Sequence, residues 1–115
     1  MRERVYWDYV KDISDSIQDA EEFVKGYGVE DFKNSKKTIY AVIRAIEVIG
    51  EAAKKIPKSI RDKYPDVPWK DMAGMRDKLI HEYFGVDVEI LWKTVQQDLP
   101  TLKVLISAVM QELED

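Results

Sequence analysis

His81 is the only histidine among the 115 residues. It stands in the run Arg76-Asp77-Lys78-Leu79-Ile80-His81-Glu82-Tyr83, which gathers an arginine, an imidazole and a phenol into about two helical turns. Imidazole is the one side chain whose unperturbed pKa lets it both give and take protons near neutral pH, and guanidinium is the fixed cation best shaped for a phosphate. The pair points to phosphoester chemistry. A lone histidine on a helix is more often a surface or core residue than a catalyst, so the weight of this reading falls on its neighbour.

A helix over 69–84 would place Trp69, Met72, Ala73, Leu79, Ile80 and Tyr83 on one apolar stripe, with Arg76 in its middle. An unpaired charge costs several kcal/mol to bury, far more than the few tenths a helical ion pair returns. The stripe is therefore expected to line a cleft or a subunit interface rather than a dry core. Gly74, inside this helix and two residues before Arg76, suggests close approach of a helix, a second subunit or a nucleic-acid backbone. Gly50, inside an earlier helix, suggests close helix contact.

Charge is distributed unevenly around the same segment. The net charge is −4, but residues 1–32 carry 4 basic and 9 acidic side chains, residues 33–80 carry 12 and 6, and residues 81–115 carry 2 and 7. The acidic total argues against an indiscriminate nucleic-acid binder. The basic third, from Lys33 to Lys78, would draw a polyanion towards the motif, unless it is an ordinary solvated mixed-charge surface.

The apolar period is helical almost throughout. Tyr6, Val10, Ile13, Ile17, Ala20, Val24 and Tyr27 recur at alternating spacings of four and three until Gly26 and Gly28 stop the helix. Ile39, Val42, Ile46, Ile49, Ala53 and Ile56 repeat the pattern up to Pro57, with Arg44, Glu47 and Glu51 on the polar side as candidates for structural ion pairing. Residues 57–64 can hold a short helical turn, and Pro65-Asp66-Val67-Pro68 reads as loop, with Pro68 placed at the first turn of the motif helix. Asp87 can cap a further helix through Leu91, Trp92 and Val95. Pro100 must then kink or break the chain before a last helix with Leu102, Leu105, Ile106, Val109 and Leu113. The expected fold is all-α: one domain over 1–115, an up-and-down bundle of four main helices with a short extra helix and an interrupted last helix.

Composition excludes several chemistries. There is no cysteine, hence no disulfide framework and no thiolate nucleophile, and one histidine does not build a His-rich zinc site, leaving carboxylate-held Mg²⁺ as the open metal chemistry. No metal site or cofactor is assigned. No stretch approaches a signal segment or an apolar membrane span, so a cytoplasmic protein without a membrane is expected.

The motif and its surroundings resemble the HepT-like toxins of the HEPN superfamily, whose signature is R-x4-H-x-Y. Arg76, His81 and Tyr83 match it position for position. So does the surrounding text: Ile49-Gly50-Glu51-Ala52-Ala53, Tyr64-Pro65, Pro68-Trp69, Gly74-Met75 before the arginine, and Tyr83-Phe84-Gly85-Val86-Asp87 leading to Trp92 and Leu99-Pro100. Asp77 departs from the asparagine common after the arginine in relatives. The resemblance implies a HEPN-like bundle and a metal-independent ribonuclease toxin acting on tRNA or mRNA. It also implies a cognate minimal nucleotidyltransferase antitoxin that attaches AMP to the motif tyrosine, here Tyr83.

Metal-free RNA cleavage uses the 2′-OH as internal nucleophile, so the protein must move protons and stabilise charge on the phosphoryl oxygens. His81 suits the first task and Arg76 the second. Five residues apart on an ideal helix, however, they point about 140° from one another. A distorted helix, or a homodimer whose packed motif helices form a composite cleft, would reconcile them, and the homodimer also accounts for Arg76 on the apolar stripe. Asp77, four residues before His81, could orient the imidazole or simply form a surface ion pair. Tyr83 lies seven residues beyond Arg76, and its phenol could meet the substrate phosphate or pack in the core. Two other readings compete with the enzyme: a non-catalytic nucleotide- or RNA-binding helical partner of a nucleotidyltransferase, and a purely structural interaction domain.

Overall fold

The computed structural model describes residues 2–80 and 87–114, with the side chains of 2–5, 76, 78–80 and 114 excepted. Among the described residues all regular structure is helical. The helices are α1 (Arg2–Phe23), α2 (Val29–Lys33), α3 (Lys36–Lys54), α4 (Lys58–Lys63), α5 (Trp69–Ile80), α6 (Val88–Lys93) and α7 (Leu99–Glu114), with a π-helical turn at Thr94–Asp98 between the last two. The long elements α1, α3, α5 and the α6–α7 run make the expected four-helix bundle.

Helix α3 is its central post, packing on α1 on one side and α5 on the other, while α7 closes against α1. The two seams read from the sequence form the core: Val10, Ile13, Ile17 and Ala20 of α1, with Val24 just after it, and Val42, Ile46, Ile49 and Ala53 of α3, with Ile56 just beyond, are all buried. Gly50 is buried on the same side of α3. Tyr27 departs from its seam. It follows Gly26, whose φ of +81° ends the helix in the left-handed region that favours glycine, and it is 37% exposed, its hydroxyl 3.3 Å from Thr38 Oγ1.

Two local features differ from expectation. Helix α2 is a second short helix in addition to α4. The Asp31 carboxylate accepts from Gly28 N–H at 2.8 Å, and the fully buried Phe32 rests against Trp92 with ring centroids 5.3 Å apart. Five residues carry too little periodicity to announce a helix; tertiary burial of Phe32 holds it. Pro100 interrupts the last helix without ending it. Leu99 N–H bonds to Thr94 O, five residues back, and this widened turn accommodates a ring that would otherwise crowd the carbonyl of Gln96.

Helix α5 is set by its first turns. Met72 N–H donates to Pro68 O at 2.9 Å, Trp69 Nε1–H donates to Tyr64 O at 3.0 Å, and Val67, Trp69 and Met72 are buried. The next residues, Ala73, Gly74 and Met75, are only partly buried. An open groove of about 750 Å³ runs along Gly74 and Met75, bounded across the gap by Ile90, Thr94, Leu102 and Leu105. A Cβ added at Gly74 would meet nothing within 4 Å, so packing between these helices does not require this glycine. Gly74→Ala is therefore expected to raise stability by about 0.5–1 kcal/mol, the usual gain for relieving a glycine inside a helix. Urea unfolding of the two proteins checks this; destabilisation would show that a neighbour approaches Gly74 closely.

Candidate functional site

The backbone of Arg76 lies on α5, one turn beyond Met72 on the row that also carries Trp69. The helix is anchored through the buried residues of its first turns and carries the motif arginine in its second half. His81 and Tyr83 fall outside the described residues. The two lie just past the described end of α5, in a span that Asp87 closes on the far side. The Asp87 carboxylate caps α6 as expected, accepting from Glu89 N–H at 3.1 Å and Ile90 N–H at 3.2 Å. Asp77 is on α5 and exposed, open to solvent rather than engaged in the core.

The basic third of the chain is partly neutralised. Lys33 Nζ donates to Glu89 Oε1 at 2.7 Å and lies 3.9 Å from Glu30. The hydrogen bond to Glu89 holds the Lys33 ammonium above its ordinary pKa, and this pair ties the end of α2 to the start of α6. Lys58 pairs with Asp62 at 2.7 Å, and Lys54 lies 3.9 Å from Glu51. These pairs are exposed and add little stability. Of the ion pairing expected on the polar side of α3, Glu51 has its partner in Lys54, whereas Arg44 has no carboxylate partner among the described residues.

No group of three or more metal-ligating side chains comes together among the described residues, and no helix there is long and apolar enough to cross a membrane. The site thus consists of one helix that carries the arginine in its second half, followed by the histidine and tyrosine in sequence. Basic residues lie on the adjoining α3, and an apolar groove lies on the flank of α5. Sequence reasoning did not find that groove, because Ile90, Thr94, Leu102 and Leu105 are brought opposite α5 only by the packing of the last helical run.

Comparison with known proteins agrees with the motif. The family described as Ribonuclease HepT-like matches residues 13–109, a span that includes Arg76, His81 and Tyr83. The chain is 55% identical over 100 residues to the "Probable ribonuclease HepT" of Thermococcus cleftensis, covering 87% of this chain and 91% of that one. It is 49% identical over 107 residues to the "Putative RNase MJ0125" of Methanocaldococcus jannaschii, covering 93% and 92%. No solved structure matches with significance. With nearly the whole helical bundle covered at this identity, the chain belongs to the HepT-like ribonuclease family.

Proposed function

We propose that this chain is a metal-independent ribonuclease toxin that cleaves tRNA or mRNA with Arg76 and His81, works as a symmetric homodimer, and is silenced by AMP attached to Tyr83. The observation that carries the reading is the complete Arg76-x4-His81-x-Tyr83 signature, starting on α5, in a chain of a ribonuclease family.

In this mechanism a ribose 2′-OH loses its proton to a base and attacks the adjacent phosphorus. The bond to the 5′ oxygen breaks, and that oxygen leaves protonated, giving a 2′,3′-cyclic phosphate and a 5′-hydroxyl. His81 handles the protons, and the Arg76 guanidinium takes up the charge gathered on the non-bridging oxygens. Asp77, exposed four residues before His81, is available to orient the imidazole. Because side chains five residues apart diverge on an ideal helix, a pair of subunits supplies the convergence: the arginine of one copy faces the histidine of the other. The open groove beside Gly74 and Met75 supports this, since it leaves the flank of α5 accessible.

His81→Ala and Arg76→Ala are each expected to abolish RNA cleavage with helicity nearly unchanged, and Arg76→Lys to be poor because it loses the planar fork. Mixing the two inactive alanine proteins should restore part of the activity, since a mixed dimer keeps one site with both groups. A His81→Ala protein cleaving at the wild-type rate would contradict the catalytic assignment, and a mixture that stays inactive would contradict the shared site.

Control falls on Tyr83 in this reading. A nucleotide on its phenol would put phosphate near Arg76 and occupy the place of RNA, inhibiting without unfolding. Co-expression with a cognate nucleotidyltransferase antitoxin and ATP should add one or more AMP units to Tyr83 and silence the enzyme, and Tyr83→Phe should escape modification. Intact mass is the readout: a fully neutralised toxin with unmodified Tyr83 would mean inhibition by binding alone.

A further inference from the structure

The first turns of α3 carry an exposed feature that neither the core nor the motif uses. Tyr40 is 60% exposed, more than the other exposed aromatics among the described residues, Phe23 at 41% and Tyr27 at 37%. It lies on the side of α3 opposite Val42, Ile46 and Ile49, so its exposure follows from the helix register that builds the core. Its helical neighbours are Lys36 four residues before, Lys37 three before and Arg44 four after. The Lys36 ammonium stands 5.7 Å from the ring centroid. None of the three cations has a carboxylate partner among the described residues. Further along the same side Glu47 and Glu51 appear, so the basic character is confined to the part of α3 before them.

We infer that this face, Tyr40 flanked by Lys36, Lys37 and Arg44, is a track for single-stranded RNA, on which the ring stacks a base and the cations take the neighbouring phosphates. The inference rests on the ribonuclease reading and specifies where its substrate lies. An exposed ring ringed by unpaired cations is the combination by which single strands are held without sequence readout. The residues from Lys36 to Arg44 span about 12 Å. They sit at the end of the bundle where α6 begins, because α2, separated from α3 by only two residues, is tied to α6, the element that follows the motif, by the Lys33–Glu89 ion pair and the Phe32–Trp92 contact. A strand on this track is thus led towards the motif end of α5. A second copy of the chain is disfavoured as occupant, since a two-fold contact through this face would set three cations against the same three.

The test uses a single-stranded 2′-O-methyl RNA, which lacks the nucleophile and stays intact, titrated onto the whole protein. Tyr40→Ala should weaken binding roughly ten-fold, and Tyr40→Trp should preserve it. The double variant Lys37→Glu/Arg44→Glu should weaken binding further and flatten its salt dependence. With ordinary RNA, Tyr40→Ala should raise KM while leaving kcat near the wild-type value. Unchanged RNA affinity in Tyr40→Ala and the charge-reversed protein would overturn the track, as would a changed subunit mass of Tyr40→Ala in sedimentation, which would assign the face to a protein interface. Failure of the ribonuclease reading is seen separately, as wild-type protein that leaves ordinary RNA uncut.

Discussion

The fold depends on one helix having to bury a face too wide for a single neighbour. The α3 row from Ile39 through Val42, Ile46 and Ile49 to Ala53 is 9% exposed or less at every position, and each large aliphatic side chain removed from water there contributes about 1.5–3 kcal/mol. No single neighbour can cover such a face. Helix α1 takes one side and α5 the other, so the placement of the motif helix is a consequence of the α3 core. What α3 leaves uncovered is a narrow outer strip, and the register that buries Val42 and Ile46 turns Tyr40 and Arg44 outwards.

The same constraint shapes α5. Its N-terminal half is fixed by Val67, Trp69 and Met72 in the core and by the indole hydrogen bond to Tyr64 O. Ala73, Gly74 and Met75 are only partly buried, and the groove opens along Gly74 and Met75. A helix seated firmly at its start and flanked by an open groove suits a catalytic motif, which needs a precise origin and room for a polymer to approach.

Much of this was legible from residue spacing. The seven-residue seam of α1 and the six-residue seam of α3 identified the buried residues apart from Tyr27, which lies beyond a glycine that ends the helix, and Tyr6, which is only partly buried. The cap at Asp87 and the loop before Trp69 follow from local chemistry that acts over three or four residues. Helix α2 was not legible, because its stability comes from Phe32 meeting Trp92, sixty residues away. The effect of Pro100 was visible, but its form, a widened turn inside a continuing helix, depends on packing of Leu99 and Val95 that no local rule contains. At the site, the motif residues announced themselves by type and spacing. The Tyr40 face did not, since an aromatic off the seam gains meaning only when the helix is known to leave that side open and its cations unpaired.

The central claim is that Arg76 and His81 cleave RNA by internal attack of the 2′-OH without a metal. The most direct measurement is mass spectrometry of the ends of a short RNA cut by the purified protein in excess EDTA. The account predicts undiminished cleavage in EDTA, with a 2′,3′-cyclic phosphate on one fragment and a 5′-hydroxyl on the other. Strict Mg²⁺ dependence together with a 3′-hydroxyl product would contradict it.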